Sequence, residues 1–359
     1  MPEEDTALSV LPAHALLLQG RGYEVIMLSA LGSLGAILVC FLLIYPLRFL
    51  IGEPFSLYSA LQGVMAWVLI AFSALMILTE KGKVQLFGVS KKTAYILGIV
   101  FAAFVFFLSG VFGLVVLGFP VSSPLGLPAS VLFPALAGLF GAPTLLTSLF
   151  SKPVIPEQSI VPLVLSRKEK KASFVSVVMG SFAGILVSVL PGVTSSTGTF
   201  LAMNLRKRYD PEQMIVTLSA VNTASAFIVV VVLFLILRAR SGVALVLNEL
   251  MVVEQWSSVL MPSTLVYLLI ALLASGVVSY FLVLWVGRVF ARWFVHVPYS
   301  LLVSFALIFV VVLVALFTGV WGLLVFLVAA CIGLVPVLWG VRRSHCMGVL
   351  LIPVILYFL

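Results

Sequence analysis

A Pro-Gly break followed by five hydroxyl side chains, LPGVTSSTGTF at 190–200, sits between two apolar arms. The arm ahead is FVSVVMGSFAGILVSV (174–189), and the arm behind is FLAMNL (200–205), closed by Arg206, Lys207 and Arg208. An interrupted helix leaves backbone N–H and C=O groups unpaired. In lipid that is tolerated only where the break is buried in protein or lines a watery cavity. Two half-length arms around a polar tip therefore predict a re-entrant hairpin, the kind of broken helix at which secondary transporters hold substrate and coupling ion near the bilayer midplane.

Composition sets the class around this feature. With 63% hydrophobic and 9% charged residues and a mean hydropathy of +1.30, the chain cannot cover a soluble surface. Runs close to the roughly 20 residues that cross a bilayer occur at 25–46, 57–79, 94–118, 212–237, 262–287, 300–319, 321–341 and 344–359. Two more, 129–150 and 174–205, are broken by Pro and Gly. Uninterrupted runs exclude a transmembrane barrel, which reads as alternating ten-residue segments. The expected fold is an all-α polytopic membrane protein, about nine transmembrane segments plus the hairpin.

Basic residues orient the spans. With the 80–92 loop cytoplasmic, 129–150 crossing and 174–205 re-entrant, seventeen of the twenty Lys and Arg fall inside, leaving Arg48, Arg238 and Arg240 outside. Making 174–205 a full crossing would move Arg288, Arg292, Arg342 and Arg343 outside as well. The charge pattern thus favours a multi-pass protein of the cell membrane with a cytoplasmic amino terminus. The first apolar run follows Glu3, Glu4 and Asp5 rather than a basic stretch, so no cleavable signal peptide is expected. The net charge of +8 is spread over short loops, which topology explains without nucleic acid.

All twelve acidic residues lie outside the apolar cores of the runs, so no carboxylate relay is expected deep in a span, and sodium held by carbonyls and hydroxyls suits ion coupling better than protons. His14, His296 and His345 stand near span ends and read as structural. Cys40, Cys331 and Cys346 show no CxxC spacing and read as small buried hydrophobes, with no disulfide frame or metal site. No cofactor is expected.

Three other stretches stand out. VNTASAF (221–227) puts Asn222, Thr223 and Ser225 into an apolar span, read either as helix-to-helix hydrogen bonding or as a break lining the hairpin's cavity. LFPALAGLFGAPTLL (132–146) carries Pro134, Gly138, Gly141 and Pro143, which predicts a kinked or discontinuous helix. SGVALVLNELMVVEQWS (241–257) reads as an interfacial amphipathic helix anchored by Trp256.

Four blocks in order, LPAHALLLQGRGYEVIMLSALGSLGAIL, LFPALAGLFGAPTLL, GILVSVLPGVTSSTGTFLAMNLRKR and LSAVNTASAFIVV, resemble the TctA permease family of tripartite tricarboxylate transporters, most closely its archaeal branch. The resemblance covers essentially the whole chain. It implies a secondary carrier for carboxylates, working with a small membrane subunit and an extracytoplasmic binding protein. It also implies an inverted repeat in which each half brings a Pro-Gly hairpin to the site. The family's first hairpin lies upstream of LPAHALLLQGRG, where this chain has about ten residues. The single membrane domain (1–359) is therefore read as a partial first repeat (1–172) and a second repeat (173–359).

The expected site is the tip with the 222–225 break. Pro191 and Gly192 end the first arm, and Thr194, Ser195, Ser196 and Thr197 bind cargo or ion. Gly198 and Thr199 complete the tip, and Asn222, with Thr223 and Ser225, faces it. Hydroxyls and free N–H groups at the amino terminus of a half-helix suit an anion. PGVTSST also resembles the PGVSGGT hairpin of a bacterial family that moves polyprenyl phosphate, so a lipid head group is an alternative cargo. A non-transporting membrane subunit is another alternative, given the partial first repeat. Membrane lipid, a small organic anion and a second copy of the chain, in a homodimer, are the further partners expected. An enzyme is not expected: no span offers a deep His or Lys to activate Ser195 or Ser196.

Overall fold

Apolar runs of this length become helices because a helix satisfies its own backbone groups where water cannot. The computed structural model describes residues 12–52, 55–80, 91–126, 129–151, 156–161, 163, 165–190, 193–206, 210–239, 241–293 and 297–359, and among them forms helices and no strand. Seven of these helices are long and apolar enough to cross a membrane, and two shorter apolar helices accompany them. The chain is an all-α, multi-pass membrane protein. It divides into two compact units that interleave in sequence.

One unit takes Leu8–Gln62 and Ile155–His296. It contains α1 (Gly22–Ile51), the short α2 (Leu57–Gln62), α7 (Arg167–Val189), α8 (Ser195–Arg206), α9 (Pro211–Ile236), α10 (Gly242–Leu250) and α11 (Ser263–Trp293). Helices α1 and α9 run parallel. Arg21 pairs with Glu212 at their starts (3.1 Å), Ser29 bonds Ser219 (2.8 Å), and Gly52 lies against Leu235 at their ends. Helix α11 runs against α1, with Gly276 on Ile37 and Gly287 on Ile26.

The other unit takes Gly63–Val154 and Val297–Leu359. It contains α3 (Met65–Leu78), α4 (Lys91–Val116), α5 (Leu132–Leu136), a π-helical turn (Ala137–Gly141), α6 (Ala142–Ser151), α12 (Tyr299–Trp339), a 3₁₀ turn (Arg343–Met347) and α13 (Gly348–Phe358). Gly319 leaves the helical region (φ 65°, ψ −161°) and splits α12 into two arms. Val310 and Val314 ahead of it share a buried cluster with Phe326 and Ala330 behind it. In a straight helix Val310 and Ala330 would stand about 30 Å apart, so the chain folds back at Gly319, dividing the 300–319 and 321–341 runs as expected. The 132–146 stretch is irregular as expected, and its π turn packs on α12, with Gly138 against Ala329 and Phe326.

Several expectations are corrected. The 57–79 run is two helices, because the chain turns at Gly63–Val64 between α2 and α3. The 344–359 run is a 3₁₀ turn followed by an eleven-residue helix, because Gly348 packs on the Phe106 carbonyl and ends the turn there. The 241–257 segment holds only the nine-residue α10. Trp256 is not an interfacial anchor but buried: its backbone N–H reaches Phe234 O (2.8 Å), and its ring lies edge-on to Tyr45 and 5.5 Å from the Arg48 guanidinium. Arg48 is correspondingly buried rather than in a loop, donating to Ser257 O at 2.8 Å. Cys40 and Cys346 are buried, whereas Cys331 is exposed on an outward face of α12.

Candidate substrate hairpin

The candidate site rests on the register between α7 and α9. Ser176 Oγ donates to Gln213 Oε1 (2.8 Å), and Ser188 Oγ reaches Ser225 O (3.3 Å). Between these pairs Gly180 sits on the Thr217 carbonyl and Gly184 on that of Val221, where a Cβ would come within 2.8 and 2.6 Å. Each partner lies 37 residues further along the chain, so the two helices run parallel and start at the same end of the unit. Gly180 and Gly184 allow this approach, seating Ala220 and Ala224 in the small-x-x-x-small contact common between membrane helices.

Parallel neighbours require the chain to return between them, and α8 makes that return. Gly198 packs against Val187 of α7 and Val221 of α9, and Ala202 shares a buried cluster with Ala183 and Val221. Helix α8 therefore runs antiparallel to α7. Its twelve residues extend about 18 Å, short of the roughly 30 Å hydrocarbon core. The same register sets Val189, the last residue of α7, level with Ala226 of α9. Helix α9 continues from there to Ile236, about 15 Å further. The tip thus stops well inside the length of α9, which is what a re-entrant hairpin requires.

The hydroxyls at the tip are divided in their commitments. Thr199 is fully buried and donates to Ser195 O (2.8 Å). Ser195, the first residue of α8, is buried, and Thr194 ahead of it is half-buried. Gly198 N–H bonds Thr194 O (3.0 Å), closing the first turn. Pro191 and Gly192, and the side chains of Ser196 and Thr197, lie outside the described residues.

The 221–227 stretch is not a break. Helix α9 runs without interruption from Pro211 to Ile236, because no Pro or Gly falls within it after its first residue and Ala220 and Ala224 pack tightly on the α7 glycines. Its polar residues diverge. Val221 and the Ser225 backbone face the hairpin, whereas Thr223 faces the other way, into a groove between α1 and α11 shared with Ser29, Ser33, Ser275 and Ser279. Asn222 lies between these faces, half-buried, one residue from the Val221–Gly198 contact.

Two polar groups escaped the sequence reading. Ser173, Ser176, Gly180, Gly184 and Ser188 form one face of α7, and their three- and four-residue spacing was a usable sign of a close helix contact. In the other unit, Glu80 is buried (2% exposed) although it follows α3, and His345 is fully buried beside it. The Glu80 carboxylate takes His345 Nε2 at 2.6 Å and Arg342 Nε at 2.8 Å. Burial pushes the Glu80 carboxyl up, but the His345 hydrogen bond and the Arg342 charge outweigh it and hold the carboxyl at about 2. With Glu80 anionic, Nε2 of His345 is the donor. A carboxylate outside every span is thus still buried, and His345 is not a lone histidine.

Comparison with known proteins agrees with this architecture. The family model described as the tripartite tricarboxylate transporter TctA family matches residues 1–348. An uncharacterized protein of the archaeon Methanocaldococcus jannaschii, MJ1079, is 26% identical over 364 residues, spanning 100% of this chain and 83% of its own length. No solved structure matches. The chain therefore belongs to the tripartite tricarboxylate transporter TctA family, a family of membrane transporter permeases rather than enzymes.

Proposed function

We propose that this chain is a secondary permease for an organic anion, a carboxylate, held at the amino terminus of α8. The observation carrying this reading is the parallel register of α7 and α9, which leaves the start of α8 partway along α9. There the amino-terminal end of α8, where the helix dipole is positive, faces Thr194 and Ser195, an arrangement suited to a carboxylate. Hydroxyl and carbonyl oxygens at the same tip are hard ligands fitting sodium as coupling ion. The reading includes a cell-membrane location with the amino terminus cytoplasmic and a division into repeats at 172/173. It also includes a small membrane subunit and an extracytoplasmic binding protein as partners. A lipid head group is the weaker cargo, because the side groove between α1 and α11 lies across α9 from the hairpin.

The test is uptake of labelled citrate by proteoliposomes holding the full chain, under an inward sodium gradient and with or without the partner subunits. Sodium-dependent uptake lost in Thr194→Val/Ser195→Ala supports the reading. Uptake indifferent to both substitutions contradicts it.

A further inference from the structure

The groove between α1 and α11 continues toward the charged end of its unit into a second cavity of about 670 Å³, joined to the first at Tyr280. Its walls are apolar, including Met27, Leu31 and Leu284, but Lys170 and Arg288 stand at its rim. Among the described residues neither cation has a carboxylate partner. The nearby acids are otherwise engaged: Glu24 and Glu212 hold Arg21, and Glu169 caps α7 through Ser166. Arg288 instead donates to Tyr23 Oη (3.4 Å) and lies 5.8 Å from the Tyr23 ring. Arg167, Lys168 and Lys171 add to the positive charge around Lys170. The groove opens sideways beside α11, whose Phe281 and Trp285 are about two-thirds exposed.

Cations over an apolar cleft between membrane helices match an anionic amphiphile: the head group takes the charges, and the chains take the apolar walls. We propose that this groove holds one anionic phospholipid of the surrounding bilayer, with its phosphate on Lys170 and Arg288 and its chains along Met27, Leu31 and Leu284. Apolar walls and lateral access favour a lipid over a soluble acid. Because Thr223 and Val221 set the groove and the hairpin on different faces of α9, the lipid is a resident ligand and not the transported cargo. The inference does not depend on the proposed substrate.

The test is native mass spectrometry of the full-length protein with added phosphatidylglycerol or phosphatidylcholine. One phosphatidylglycerol should stay bound under conditions that strip phosphatidylcholine. Lys170→Gln/Arg288→Gln should reduce that retention at least tenfold, and Lys170→Arg/Arg288→Lys should preserve it. Should the double glutamine variant not fold, a photoreactive phosphatidylglycerol on the unaltered protein should label peptides around Lys170 or Arg288. Excess phosphatidylglycerol should compete, and phosphatidylcholine should not. Retention unchanged in the glutamine variant would overturn the proposal, as would labelling elsewhere. So would displacement by millimolar citrate or phosphate, which would make the cavity a soluble-anion vestibule. A lipid-free dimer with the α11 face covered by a second copy would also overturn it.

Discussion

Gly198 lies so close to Val187 that a methyl group on its Cα would come within 2.7 Å of Val187 Cγ2. This contact holds the return arm α8 against α7. Gly198→Ala needs only small shifts of two valine side chains, Val187 and Val221, and should be mild, whereas Gly198→Leu should force the arms apart. At Gly184 the obstacle is the Val221 carbonyl at 2.6 Å, which cannot rotate away. Gly184→Val should therefore destabilise the unit by about 1–3 kcal/mol, the usual range for overpacking. Thermal unfolding of the purified variants checks the order, with Gly184→Val below Gly198→Ala.

Ser188 donates to Gly184 O and Ser225 O. Hydrogen bonds between membrane helices average about 0.6 kcal/mol, so Ser188→Ala should lower stability by less than 1 kcal/mol. A comparable loss of uptake without loss of stability would mark Ser188 as part of the site instead. The same pair of measurements separates the two outcomes.

Glu80 gives a pH signature. Its carboxyl is held at about 2 against an ordinary 4.5, so the folded state favours the anion. The resulting stabilisation is complete above about pH 4.5 and is lost as pH falls toward 2. Its size is on the order of 3 kcal/mol, at 1.36 kcal/mol per unit. Thermal midpoints of the solubilised protein between pH 6 and 2.5 should fall more steeply for the parent than for Glu80→Gln, and equal slopes would refute the assignment.

The hairpin was legible in the sequence because Pro191–Gly192 and the hydroxyl run interrupt an otherwise apolar stretch, and backbone at membrane depth has few ways to be interrupted. Its partner was not. The spacing of Gly180 and Gly184 announces a close neighbour without saying which helix it is, and the 37-residue register appears only in three dimensions. Reading Asn222, Thr223 and Ser225 as one break failed for a simpler reason: Thr223 points away from the face that Asn222 and Ser225 share at three-residue spacing, and nothing there removes a backbone donor. Glu80 looked like a loop residue because its partner His345 is 265 residues away.

Those faces separate the three residues in transport. The Asn222 side chain makes no hydrogen bond to another described residue, so its amide is available to cargo or ion, while Thr223 lines the outer groove. Asn222→Ala should cut sodium-dependent uptake at least tenfold, Ser225→Ala should cut it less, and Thr223→Val should leave it within twofold of the parent. Uptake driven equally by a proton gradient without sodium, and unaffected by Asn222→Ala, would remove sodium coupling from the account.

The most direct test of the re-entrant hairpin is cysteine accessibility from each side of the membrane, in a background freed of Cys40, Cys331 and Cys346. Single cysteines replace Ala172, Val193 and Asp210, and an impermeant thiol reagent is applied to oriented vesicles. Ala172 and Asp210, level with each other at the start of α9 by the 37-residue register, should label from the same side. Val193 at the tip should label slowly and be protected by citrate with sodium. Rapid labelling of Val193 from the opposite side in every condition, with no protection, would make α7 and α8 two ordinary crossings and contradict the account.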